Sequence, residues 1–317
     1  MSQDQIVTQQ NKLNVYRRLW IYQAERFPLL KHGVLIIAFA LSAVCVSALL
    51  RGQTEFPSFY SFLTAFAVLL GLFLQLRIAD EFKDAEIDAK TRPERAVPRG
   101  LISLKELAVL GLFTAAIQVT ITVLYAPSLL IILTIIWVYM ALMSAEFFVP
   151  EWLKAHPFIY MFSHMLIMPL IDLFATACDW LLQTGTAPGG LIWFLAVSLF
   201  NGIILELGRK TWAPEAERSG VESYSSAWGI PTALFVWAIA VLCAFGCAMA
   251  VALKINFLMP TLIILGVFSL VMAFLALSFF KKPTLKGQKN LENISGLWVF
   301  AVYFILGLIP MGVHAWL

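Results

Sequence analysis

The sequence predicts an all-helical integral membrane protein, a bundle of nine spans around a central cavity, and three observations carry that expectation. Of 317 residues, 61% are apolar and only 13% are charged, about half the charged share of a soluble domain. The apolar residues gather near 29–50, 59–79, 104–125, 128–149, 158–182, 190–208, 230–253, 257–280 and 294–316. Each run is long enough to cross a hydrocarbon core of ~30 Å as a helix. With nine spans, 20 of the 22 Lys and Arg residues fall on the side that carries the N-terminus, leaving only Arg51 and Lys254 on the other. Basic loops stay in the cytoplasm, so the reading is N-terminus in and C-terminus out, in a multi-pass protein of the bacterial inner membrane.

The remaining composition excludes more than it assigns. The net charge of +3 is spread by topology, and no nucleic-acid partner is expected. Cys45, Cys178, Cys243 and Cys247 all lie within apolar runs, where they read as small buried hydrophobes rather than as disulfides or metal ligands. The segment MSQDQIVTQQNK has no charged stretch directly before an apolar core, so no cleavable signal peptide is expected. Residues 1–28 read as a cytoplasmic segment with an amphipathic interfacial helix over 13–27, and 29–317 as the nine-span domain. The loop KKPTLKGQKNLEN at 281–293 reads as an anchor on anionic membrane lipid.

Two charged loops, 77–103 after the second span and 206–229 after the sixth, face the same side. Residues 77–100 hold six acids and six bases. Asp80, Asp84 and Asp88 recur every four residues and form a ladder on one helix face, with rungs roughly 6 Å apart. Carboxylates so close repel one another, and a bound divalent cation offsets that; Glu81 stands beside the ladder. The competing reading is a solvated helix end laced with pairs to Lys83 and Lys90. Arg92, Arg95 and Arg99 follow, set among Pro93 and Pro98; guanidinium groups suit diphosphate oxygens in bidentate fashion. Ser103 with Glu106 predicts a cap on the third span.

The order Asp80-Glu81-x-x-Asp84-x-x-x-Asp88, then Pro98-Arg99-Gly100-Leu101-Ile102-Ser103, resembles the UbiA superfamily of intramembrane prenyltransferases. Its first motif is NDxxDxxxD, followed by a basic stretch ending in G-x-I-S. Asp80 stands where the family has Asn, and Glu81 where it has the first Asp. The family's second motif, DxxxD before a G-[IV]-x-[ST] turn, survives only as the turn Gly220-Val221-Glu222-Ser223. The nearest acidic equivalent is Glu206-x-x-x-Lys210, with Glu215 and Glu217 as further candidates. A lysine in an acid's place would meet phosphate directly.

The resemblance implies Mg2+ held by Asp80, Glu81, Asp84, Asp88, Glu206 and Glu217, with Asp80, Asp84 and Lys210 central to catalysis. Lys83, Arg92, Arg95, Arg99 and Arg209 are the implied phosphate contacts. The implied substrate is an isoprenyl diphosphate whose ionisation yields an allylic cation, captured by a lipophilic, aromatic acceptor. The altered second motif keeps open a terpene cyclase of the same superfamily, which needs no acceptor. A non-catalytic lipid-binding or transport protein is the reading outside enzymes; acids at a loop rather than at the bilayer midplane weigh against it. Within the spans, His164, Asp172 and Asp179 share a face of the fifth, and Glu146 and Asn201 lie near span ends. Ionisable groups there are functional candidates by default.

Overall fold

The structure is a computed structural model that describes residues 13–218 and 223–316, all helices and connecting loops. Hydrocarbon offers the backbone no hydrogen-bond partner, so each apolar run closes its own bonds as a helix. An N-terminal helix α1 (Val15–Arg26) precedes α2 (Leu29–Leu50), α3 (Phe59–Lys83), the short α4 (Ala85–Thr91), α5 (Leu104–Tyr125) and α6 (Leu129–Ser144). Then come α7 (Pro150–Ala155), α8 (Pro157–Met165), α9 (Ile167–Gln183), α10 (Leu191–Lys210), α11 (Tyr224–Trp228), α12 (Ile230–Lys254), α13 (Leu258–Lys281), α14 (Leu285–Tyr303) and α15 (Ile309–Trp316). A π-helical turn, Phe304–Leu308, joins the last two. Among the described residues, eight helical segments are long and apolar enough to cross a membrane, with α8–α9 and α14–α15 each counted once; α6, at 16 residues, is a shorter apolar ninth.

Boundaries moved where polar residues supply caps. Ser103 accepts from the Glu106 backbone while Glu106 reaches back to Ser103, the capping box expected for the third span. The ninth begins at Leu285 rather than near 294, because Thr284 caps it by accepting from the Gly287 N–H. Lys286 and Lys289 therefore ride on the first turns of a helix, not in a loop.

The spans meet through small side chains, which let helix backbones approach closely in lipid. The buried face of α2 is rich in Ala and Ser, including Ala40, Ser42, Ala43 and Ala48. It packs on α3, α9 and the π turn. At Gly307 any Cβ would collide with the Ser42 backbone, so that crossing requires glycine. α10 packs against α9, α12 and α14.

Two aspartates and an asparagine inside the bundle have cross-helix partners. At the end away from the charged loops, Asp179 accepts from Arg51 at 2.8 Å and from the Ser47 hydroxyl at 2.6 Å. Deeper, Tyr303 donates to Asp172 and Trp298 to Asn201 at 3.2 Å. These contacts give Asp172, Asp179 and Asn201 structural partners across the bundle.

α1 is tied to the loop end by packing and by ion pairs. Tyr22 is buried against Ile78, Ala96, Leu101 and Ile102. Three ion pairs flank it: Arg18–Glu106, Arg26–Glu81 and Glu25–Arg99. Among the described residues, Glu81, 1% exposed, pairs with one cation, Arg26. Arg26→Ala strands a buried carboxylate and is expected to cost about 3 kcal/mol or more of stability. Arg26→Met with Glu81→Met should recover most of that loss in denaturant unfolding of detergent-solubilised protein.

Candidate active site

The ladder is bent. α3 ends at Lys83, and Asp84, with φ −90° and ψ 3°, is both its C-cap and the start of α4. The backbone bonds Asp84 N–H to Asp80 C=O (2.9 Å) and Asp88 N–H to Asp84 C=O (2.8 Å) continue through the break, so the rungs still follow one another. Their carboxylates differ. Asp88 is buried and accepts from Arg95 at 2.5 Å and Arg92 at 3.3 Å. Glu81 is committed to Arg26. Asp80 is half exposed and meets Arg77 at 3.1 Å, one turn back. Among the described residues, the Asp84 carboxylate has no hydrogen-bond or ion-pair partner.

The arginines after the ladder are engaged in contacts within the protein. Arg92 and Arg95 neutralise Asp88, and Arg99 bonds Glu25 and the Glu94 carbonyl. The three arginines stabilise the 92–103 loop, which folds over Ala96, Leu101 and Ile102.

The second loop supplies cations. Glu206, near the end of α10, takes Arg209 at 2.5 Å and Lys210 at 2.9 Å. The two bases outnumber that acid and keep much of their surface open, Arg209 at 56% and Lys210 at 38% exposure. Arg209 and Asp80 lie within electrostatic reach of each other, which brings the two loops together. Glu217 instead accepts from the hydroxyls of Ser223 and Ser225, each 2.7 Å away, and Ser225 in turn accepts from the Trp212 N–H. Glu217 thus braces the loop. The turn expected at 220–223 lies outside the described residues except for Ser223.

A cavity of about 250 Å³ opens here, lined by Lys154, Tyr160, Lys210, Ser223, Tyr224 and Ser226. It offers two ammonium groups and several hydroxyls to an anion. Burial pushes the Tyr224 hydroxyl up, so it stays a donor at neutral pH.

Sequence reasoning missed a group beside it. Lys83 donates to the Tyr160 hydroxyl, to Glu146 at 3.0 Å and to His164 Nε2 at 3.3 Å. Glu146, Phe147 and Phe148 all have left-handed φ, at 48°, 53° and 62°. Non-glycine residues pay of order 1–3 kcal/mol each for such conformations, which persist where surroundings enforce them. Phe147 stands edge-on to both Tyr139 and His164. By sequence, His164 stands out as an ionisable group within the fifth span and Glu146 as one near a span end; their shared partner is about 60 to 80 residues away, beyond any local pattern.

Of the four acids in the first motif, the accessible ones for a divalent cation are Asp84, without a partner among the described residues, and Asp80, half exposed and paired only within its own helix to Arg77. No group of three or more His, Cys, Asp or Glu side chains converges among the described residues. Mg2+ is commonly held by one or two carboxylates, with waters and substrate phosphates completing its shell. Two adjacent carboxylates, one without a partner, fit that mode; a closed all-protein cage does not.

A model of the UbiA prenyltransferase family matches residues 40–300. The chain belongs to the UbiA prenyltransferase family. The structure is similar to that of digeranylgeranylglyceryl phosphate synthase, at 16% identity over 92% of this chain and 99% of that one, TM-score 0.64. It is also similar to the apo structure of a UbiA homolog from Aeropyrum pernix K1, at 13% identity over 86% and 96%, TM-score 0.65. No curated protein sequence matches. At these identities the two structures establish the UbiA fold, and the family establishes a multi-pass membrane protein of the prenyltransferase type.

The unequal pairing of the rungs separates structural from available acids. Asp88→Asn leaves two arginines short of a charge and is expected to lower stability by about 2 kcal/mol. Asp84→Asn should change it by less than about 0.5 kcal/mol. Thermal unfolding of the ligand-free variants, side by side, checks this.

Proposed function

We propose that the chain ionises an isoprenyl diphosphate at the loop end of the bundle and transfers the prenyl group to a lipophilic, aromatic acceptor. The observation that carries this reading is the placement of two accessible carboxylates, Asp84 without a partner among the described residues and Asp80 half exposed beside Arg77, near Arg209 and Lys210, which share a single acid and stay partly exposed, with Lys210 lining a cavity. Asp80 and Asp84 are the residues that would hold Mg2+. Bound there, the ion supplies positive charge to the departing diphosphate.

The rest falls to the protein. Arg209 and Lys210 bind diphosphate oxygens directly, replacing the acidic second motif usual in the family. Glu206 aims both bases. Lys154, Tyr160 and Tyr224 line the cavity with further donors, fixed before the reaction and therefore effective where charge develops. The apolar spans receive the prenyl chain and keep water from the allylic cation. Glu81, Asp88, Arg92, Arg95 and Arg99 maintain the loop through their pairs. The uneven distribution of Lys and Arg supports a cytoplasmic position for this end, in a bacterial inner membrane.

Diphosphate release by purified protein, supplied with Mg2+ and C10, C15 or C20 isoprenyl diphosphates, tests the reading. With an aromatic acceptor present, release and a prenylated product are expected; Asp80→Ala and Asp84→Ala should each cut the rate at least 100-fold, about 2.7 kcal/mol. Omitting Mg2+ should stop it. A cyclic hydrocarbon formed without acceptor would replace the transferase with a terpene cyclase, and no release under any condition would remove the enzyme reading.

A further inference from the structure

Lys83 sits between two rungs of the ladder, on the last turn of α3, and at sequence level looks like one more phosphate contact. Its surroundings say otherwise. An ammonium group has three N–H donors. The structure supplies three acceptors: the Tyr160 hydroxyl, Glu146 Oε1 at 3.0 Å and His164 Nε2 at 3.3 Å. The His164 tautomer agrees, because Nδ1–H donates to the Tyr160 carbonyl at 2.8 Å and leaves the Nε2 lone pair facing Lys83. No donor remains for a ligand.

Each acceptor is itself fixed. Tyr160 and His164 lie one turn apart on α8 with their rings stacked at 4.1 Å and 13°. Glu146 opens the left-handed turn that Phe147 locks against Tyr139 and His164. Its second carboxylate oxygen is buried without a partner, so Lys83 is the group that compensates this acid. The helix breaks at the next residue, Asp84.

We propose that Lys83 is a positioning residue: pinned by Glu146, Tyr160 and His164, it fixes the bend between Asp80 and Asp84 and so sets the spacing at which they hold a divalent cation. This rests on the reading of Asp80 and Asp84 as the metal-holding pair. The strained turn is then the far anchor of the ladder, and Lys83 acts on the substrate only through the two aspartates.

The test is calorimetric binding of inorganic diphosphate to the full chain in detergent, over a series of Mg2+ concentrations. It compares wild type with Lys83→Met, Glu146→Gln, the double variant and His164→Phe. A phosphate ligand released from Glu146 would bind diphosphate as well or better. A pin that has lost its anchor lets the bend relax. Glu146→Gln is therefore expected to weaken binding about 10-fold, the usual scale for supporting groups around a metal site, and to raise the Mg2+ needed for half-saturation. The double variant should be no weaker than the worse single one, since both break the same link. Tighter or unchanged binding in Glu146→Gln would overturn the proposal while leaving the metal-diphosphate reading intact. Absence of binding by wild type at every Mg2+ concentration would overturn both. If Lys83→Met fails to fold, Glu146→Gln and His164→Phe retain the lysine and decide the sign alone.

Discussion

Charge at the end of an apolar bundle must be compensated where it stands, because lipid and packed side chains do not solvate it. That constraint organises the loop end of this protein. Acids and bases drawn out of water find one another across elements: Glu81 with Arg26, Asp88 with Arg92 and Arg95, Glu146 with Lys83, Glu206 with Arg209 and Lys210. Each pair fixes a loop or helix end. The proposed chemistry depends on groups this pairing leaves accessible: Asp84, the half-exposed Asp80, and Arg209 and Lys210, which share one glutamate between them.

The same constraint explains why the first motif is longer than the set of residues available to a ligand. Of its four acids, Glu81 and Asp88 are nearly inaccessible and already neutralised. Asp80 is half exposed, with Arg77 one turn back, and Asp84 has no partner among the described residues. Removing water from the paired acids gives the loop its shape, and the accessible Asp80 and Asp84 are the place proposed for a cation. A site built this way is assembled from three directions: α1 through Arg26, the turn at 146–148 through Lys83, and α10 through Arg209.

The spans were legible in the sequence because their signal is local and long: some twenty apolar residues, ended by Pro, Gly or charge. The Ser103–Glu106 cap was legible for the same reason, being three residues apart. The ladder was half legible. Its four-residue spacing showed which acids follow one another, but not the break at Asp84, nor that Glu81 takes its partner, Arg26, from 55 residues away. Nothing in Glu146-Phe147-Phe148 announces a left-handed turn, since none is glycine; tertiary contacts impose it. In the second loop, a lysine and an arginine beside one glutamate were visible, while the closeness of Arg209 to Asp80 required the fold.

The central claim is that Asp80 and Asp84, alone among the acids of the loop end, hold a divalent cation. Anomalous scattering from Mn2+ in crystals of the protein grown with inorganic diphosphate tests it most directly. The account predicts one or more peaks within coordination distance of the Asp80 and Asp84 carboxylates, with diphosphate oxygens between the metal and Arg209 or Lys210. A peak on Glu81, Asp88 or Glu206, with their ion pairs broken and Asp84 bare, would contradict it.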